Sequence, residues 1–182
     1  MKICIVNFSG RKNGNCHDVA KIIEQSLIAE HEVNLHEMRE MNVNPCGKCE
    51  YECFYESKSC PYAGDDVGNI YSSVLSSGLA YYIVTNYSDY PNAYFYIFNE
   101  RSQGIFSFKQ HDLFEQYLQI RKKFIVISNT EQENFVRVFN SHVPDNSAAN
   151  VLFLASRVFD KKGFAGGLMQ SGQARQMVVD FI

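Results

Sequence analysis

Short apolar runs alternate with amphipathic helical patterns along the chain, and this alternation restricts the fold more than any other feature. Lys2–Phe8 (KICIVNF) is a mostly apolar run, as expected for a strand buried on both faces. A polar, glycine-containing loop follows, and then Val19, Ile22, Ile23 and Leu27 recur at helical spacing. Glu32–Met38 alternates like a strand with one wetter face. Further strands are predicted at Leu79–Thr85, at Lys123–Asn129 and within Asn150–Phe159. A helix on Val67, Ile70, Tyr71, Val74 and Leu75 has Asp66 as its expected cap and Gly78 as its stop. Pro91 suits the first position of another helix. Two more are predicted over about His111–Arg121 and at Ala174, Met177, Val178, Phe181 and Ile182, with Gly166-Gly167 as the turn before the last. Phe135, Val136 and Phe139 suggest a further short helix.

Five strands alternating with helices predict an α/β fold with a parallel sheet covered on both faces. Right-handed crossovers make it a doubly wound, three-layer sandwich. The 182 residues fit one domain spanning 1–182. Ligands of such sheets bind at the carboxyl ends of the strands where the strand order reverses. The loops after the first, third and fourth strands are therefore the expected site.

A formal net charge of -3 lacks the basic excess of a nucleic-acid-binding surface. The longest unbroken apolar run, Leu79–Val84, falls far short of the roughly 20 residues of a membrane span. Met1–Val6 is too short for the apolar region of a signal peptide. These readings predict a cytoplasmic protein without nucleic-acid or membrane partners.

The loop Ser9–Cys16 joins the first strand to the first helix. It lacks the three-glycine dinucleotide pattern and the Gly-Lys-Ser/Thr of a P-loop, yet it suits an anion. It offers N–H groups at a helix N-terminus, hydroxyl and amide side chains, and two cations. A monoester phosphate would accept bonds from Ser9, Asn15 and the N–H groups near Cys16. The other reading is a solvated turn with Asn15 as a plain helix cap.

Asn7–Cys16 (NFSGRKNGNC) closely resembles the N-G-S-P-R-x-x-G-N-T loop of the NAD(P)H-dependent FMN reductases and related iron–sulfur flavoproteins. In those flavodoxin-like proteins this loop holds the FMN phosphate. Asn7, Ser9, Arg11, Gly14 and Asn15 match; Phe8 replaces a Gly, Gly10 a Pro, and Cys16 a Thr. Pro45-Cys46-Gly47-Lys48-Cys49 is similar to the family's P-C-x-x-C, and Asp65-Asp66-Val67 with Ile70-Tyr71 to its D-D-M-x-x-I-Y. Tyr87, Pro91, Ala93, Phe98 and Arg101 fall without a gap on a family segment that passes beside the isoalloxazine ring, with Thr85, Asp89, Tyr96 and Glu100 as departures. The match is good over about the first hundred residues and weaker after them.

The resemblance implies a flavodoxin-like sandwich with a five-stranded parallel sheet in the order 2-1-3-4-5. It also implies FMN as cofactor, NAD(P)H as co-substrate, a small-molecule electron acceptor, and a homodimer or homotetramer. The cofactor-binding residues it points to are Ser9, Arg11, Asn13, Gly14, Asn15, Cys16, Thr85, Asn86, Tyr87, Ser88 and Asn129; no catalytic acid or base is nominated. Tyr87 is the stacking candidate, whereas Tyr81 and Tyr82 lie within a strand and read as core. A carboxylate at Asp89 would disfavour an anionic reduced flavin beside it. His17, in the first turn of the first helix, is placed either near the phosphate or in solvent.

Of six Cys, four lie in a long loop at about 40–65: Cys46, Cys49, Cys53 and Cys60. Four thiolates could ligate a [4Fe–4S] cluster or, less readily, a zinc ion. The third reading is a loop of free thiols with no metal. The three residues between Cys49 and Cys53 depart from the family's two. Tyr51, Phe54, Tyr55 and Tyr62 could shield a cluster or form a dimer contact. Cys4 reads as inert core, and Cys16 at a helix N-terminus is a candidate for a lowered pKa. The expected function is an FMN-dependent NAD(P)H oxidoreductase. The alternatives are a non-enzymatic flavodoxin-like electron carrier and a flavin-less regulatory or metal-binding relative.

Overall fold

The structure is a computed structural model that describes residues 1–47, 49–55, 59–87, 90–107, 111–129 and 150–182. Ser88, Asp89 and the helix expected around Phe135–Phe139 lie outside the described residues.

Five strands form one parallel sheet: β1 (Lys2–Asn7), β2 (Glu32–Glu37), β3 (Leu79–Tyr87), β5 (Arg121–Ser128) and β6 (Val151–Ala155). Their order is β2-β1-β3-β5-β6, the expected 2-1-3-4-5 when the short β4 (Tyr90–Pro91) is set aside. That sixth strand was not anticipated. It pairs antiparallel with the end of β3, Asn86 opposite Pro91 and Tyr87 opposite Tyr90. The helices are α1 (Asn15–Leu27), α2 (Val67–Leu75), α3 (Ala93–Ile105), α4 (His111–Gln119) and α5 (Gly172–Phe181).

Side chains alternate across each strand, so the central strands bury both faces. Ile3, Ile5, Tyr81, Ile83, Ile125 and Ile127 pack with residues of α1 and α5. Cys4, Val6, Ala80, Tyr82, Val84, Phe124 and Val126 pack on the opposite face with residues of α2, α3 and α4. That second core, with the side chains packed against it, takes in six of the chain's 14 Phe and four of its 11 Tyr. Phe8 meets Tyr82, Phe95 and Phe98 edge-on, with ring centroids 5.6, 5.2 and 5.4 Å away. Tyr71 stacks on Phe98 at 4.1 Å and donates its hydroxyl to the Phe98 carbonyl at 2.9 Å. Tyr81 and Tyr82 are core residues, as expected; the Tyr82 and Tyr117 hydroxyls share a hydrogen bond of 3.1 Å.

Several boundaries differ from the sequence expectation for local reasons. Pro91 is taken by β4, and α3 starts at Ala93 with Asn92 as N-cap. Asp66 does not cap α2 with its side chain; Asp65 does that work, its Oδ1 accepting the Val67 N–H at 3.1 Å. The Asp66 carboxylate accepts the Asn42 N–H at 2.8 Å instead. Helix α2 ends at Leu75, and Gly78 donates its N–H to the Lys2 carbonyl at 2.9 Å. A Cβ at Gly78 would displace the flexible Met1 side chain, whose Sδ lies 2.9 Å from that position, while the Lys2 carbonyl of β1 stays 4.0 Å away. Arg121 belongs to β5, paired with Leu79, rather than to α4. β6 stops at Ala155, and Ser156–Phe159 forms a 3-10 turn.

Candidate cofactor site

The strand order reverses between β1, which pairs with β2 on one side, and β3 on its other side, and a cavity lies at the carboxyl ends of the strands there. Its walls come from the loop after β1 (Ser9, Arg11, Gly14, Asn15, Cys16), the end of β3 (Thr85, Asn86, Tyr87) and the end of β5 (Ile127, Ser128, Asn129). Gly163 and Phe164, from the loop before α5, complete it.

The β1 loop is shaped by its own polar groups. Asn7 Oδ1 accepts the Ser9 N–H at 3.0 Å, and Ser9 Oγ accepts the Arg11 N–H at 3.2 Å. Asn7 Nδ2 donates to Glu37 Oε2 at 2.8 Å, and His17 Nδ1 lies 2.8 Å from Glu37 Oε1. His17 is therefore turned to the half-buried carboxylate of Glu37. Gly14 precedes α1 without a side-chain cap, and the first helical bond is Asp18 N–H to Gly14 O at 3.0 Å. The first-turn N–H groups at the positive end of α1 are left without intrahelical acceptors.

Asn15 is not a solvated helix cap: Gly14 is the N-cap of α1, and Asn15 lines the cavity. It is 4% exposed; its Nδ2 donates to the Gly163 carbonyl at 3.1 Å and its Oδ1 accepts the Leu168 N–H at 3.0 Å. Cys16 Sγ lies 3.6 Å from Thr85 Oγ1. Burial pushes the Cys16 thiol up to about 11, against the opposing pull of hydrogen bonds to Thr85 and Ser9. The expected lowering at a helix N-terminus is thus reversed. Asn13 is exposed and stands outside the cavity wall. Phe8 is fully buried beneath the loop and takes no part in that wall.

On the sheet side, Asn86 Nδ2 donates to Ser128 Oγ at 3.1 Å, tying β3 to β5. Asn129 Oδ1 accepts the Gly163 N–H at 3.1 Å. Tyr87 and Phe164 present aromatic rings at the mouth, 55% and 68% exposed. Ile127, Ser128, Gly163 and Phe164 were missed from the sequence. Gly163 lies 148 residues from Asn15, and only the glycines around Phe164 hinted at a close-packed loop.

The cysteine loop sits elsewhere. Cys46, Cys49 and Cys53 line a second cavity with Tyr51, Glu100 and Gln103, while Cys60 Sγ lies 3.9 Å from Arg101 Nη2. All are free thiols, and burial raises the pKa of Cys46 and Cys53. Among the described residues no three His, Cys, Asp or Glu side chains are arranged to hold a metal ion. Tyr51, Phe54 and Tyr55 are exposed around the thiols.

Among the described residues no helix is long and apolar enough to cross a membrane. No protein-family model and no curated protein matches the chain. Solved structures do. The Trp repressor binding protein from Bacillus subtilis is similar over 100% of this chain and 97% of its own, with TM-score 0.66 and 15% identity. The NAD(P)H:quinone oxidoreductase from Methanothermobacter marburgensis is similar over 100% and 95%, with TM-score 0.61 and 10% identity. FerB, a flavoenzyme NAD(P)H:(acceptor) oxidoreductase from Paracoccus denitrificans, is similar over 99% and 96%, with TM-score 0.51 and 12% identity. Strand order, the helices on both faces and these whole-length likenesses agree: the chain has the flavodoxin-like α/β fold.

Proposed function

We propose that this chain binds FMN and passes electrons from NAD(P)H to a small acceptor such as a quinone or free flavin. The cavity carries the proposal. It lies where the strand order reverses, and it joins an anion-binding end to an aromatic mouth. The residues present suit the cofactor. Ser9 Oγ, Arg11 and the first-turn N–H groups of α1 would hold a phosphate dianion. Thr85, Asn86 and Ser128 supply polar groups along the sheet edge, and Tyr87 supplies a face for a flat ring. FMN, when bound, supplies hydride acceptance and onward electron transfer. The chain's part is to bind and orient the ring and to exclude water from its inner edge.

The oxidoreductases of the same fold support an enzyme rather than a carrier. So does the formal net charge of -3, modest for the acidic docking face of an electron carrier. The proposal includes a homodimer or homotetramer, measurable by light scattering. It places the protein in the cytoplasm, where six unbridged Cys suit a reducing compartment. The test is steady-state oxidation of NADH or NADPH by the FMN-supplemented protein with benzoquinone. Turnover that requires both FMN and protein is expected. A rate no faster than FMN alone would overturn the assignment.

A further inference from the structure

Phe164 is 68% exposed, yet it stands in the wall of the cavity. Its loop follows the 3-10 turn Ser156–Phe159 and bends through left-handed backbone at Asp160 (φ 51°), Gly166 (φ 79°) and Gly167 (φ 75°). Three hydrogen bonds fasten it. The Gly163 N–H donates to Asn129 Oδ1, the Gly163 carbonyl accepts from Asn15 Nδ2, and the Leu168 N–H donates to Asn15 Oδ1, at 3.1, 3.1 and 3.0 Å. The loop packs against the end of β5: a Cβ on Gly163 would meet Asn129 Cα and Cβ at an ordinary contact distance of 3.5 Å. Asn15 therefore applies both ends of its amide to this loop, although it belongs to the segment that resembles a phosphate cradle. The outcome is a second exposed aromatic ring at the mouth that Tyr87 also borders.

We infer that Phe164 is a ring-contacting residue for a planar heteroaromatic ligand, and that Asn15 is a positioning residue acting through Gly163 and Leu168 rather than a phosphate ligand. The identity of the ligand as a flavin rests on the function proposed above. A flat ring seated in the cavity would cover the Phe164 face and recover the apolar burial that the exposed side chain lacks. Phosphate recognition stays with Ser9, Arg11 and the first turn of α1.

Lumiflavin, which carries the ring without ribityl phosphate, separates the two ends of the site. Binding of lumiflavin and of FMN is measured by fluorescence titration for the wild type, Arg11→Ala, Asn15→Ala, Asn15→Asp and Phe164→Ala. Arg11→Ala weakens FMN alone. Phe164→Ala weakens both ligands, by about tenfold, and Asn15→Ala weakens both by a common factor. Asn15→Asp keeps the acceptor for Leu168 and loses the donor to Gly163, so its lumiflavin affinity falls between wild type and Asn15→Ala. Tryptic cleavage after the exposed Lys162 reads the loop without any ligand; it accelerates in Asn15→Ala and not in Arg11→Ala. The inference is overturned if Asn15→Ala weakens FMN while leaving lumiflavin and tryptic cleavage unchanged, or if Phe164→Ala leaves both affinities unchanged. A wild type that binds neither ligand overturns the flavin reading and the role of Phe164 with it. The tryptic rates then still decide whether Asn15 holds the loop.

Discussion

Arg101 and Asp65 form an ion pair whose side chains are 2% and 3% exposed, and it joins the cysteine loop to α3. Arg101 also donates to the Asn44 and Tyr62 carbonyls, each at 2.9 Å. Asp65 accepts the Val67 and Asn44 N–H groups, each at 3.1 Å. Burial alone would raise the Asp65 carboxyl, but the Arg101 hydrogen bond and the two backbone donors outweigh it and hold the carboxyl below its ordinary range.

Asp65→Asn leaves a buried, uncompensated guanidinium. The expected loss is about 3–5 kcal/mol at neutral pH, read from urea denaturation. Because the folded pKa is depressed, the contribution is complete above the unfolded value of about 3.9 and is lost as pH falls through the folded value. The difference between wild type and variant should therefore shrink in acid. Equal stabilities at pH 7 would remove the pair from the account.

Phe8 stands where the resembled family has Gly, yet it supports the loop from below. Phe8→Ala opens a cavity among Tyr82, Phe95 and Phe98 and should cost about 3–5 kcal/mol. FMN affinity of the folded fraction should be unchanged. A loss of affinity at full stability would place Phe8 in the site.

The strand–helix order was legible because buried parallel strands are continuous apolar runs and each helix shows one apolar stripe. The ends of elements were less legible, because tertiary partners decide them. Pro91 reads as a helix start until β4 pairs it with Asn86. Asp65 and Asp66 are equivalent in sequence until Arg101 selects one. At the site, the β1 loop and the end of β3 are contiguous segments that a pattern can reveal. The third wall is brought in by side-chain amides of Asn15 and Asn129, and no local period encodes such a contact.

Lys122 is 2% exposed, donates to the Tyr117 and Ile120 carbonyls, and lies 4.1 Å over the Tyr117 ring. Burial lowers its pKa to about 8. Between about pH 8 and the unfolded lysine value of about 10.4, the unfolded chain holds a proton on Lys122 that the folded chain has released, so the contribution of this group to stability rises with pH. Lys123, lowered chiefly by burial, acts in the same direction. The thiols of Cys4 and Cys16, raised by burial, act the other way above the unfolded cysteine value of about 8.5, and Tyr71, Tyr82 and Tyr117 do so above about pH 10. The Lys122 contribution is therefore read as a difference: in thermal melts the wild type should gain on Lys122→Met as pH rises from about 8 to about 10.4. A difference that does not change with pH would contradict the assignment.

Cys4 and Cys16 are buried, and burial raises their thiols to about 12 and about 11. Iodoacetamide at pH 8 should label exposed Cys46 in the folded protein and reach Cys4 and Cys16 only on unfolding, as peptide mass spectrometry would show. Labelling of Cys16 as fast as Cys46 would mean that the thiol is not packed against Thr85.

The most direct test of the flavin assignment is the visible spectrum of the protein after loading with FMN and removal of free flavin, recorded without oxygen before and after addition of NADH or NADPH. The account predicts retained flavin absorption that bleaches with at least one nicotinamide and returns on addition of benzoquinone. A protein that retains no flavin, or whose flavin bands neither nicotinamide bleaches, would contradict it.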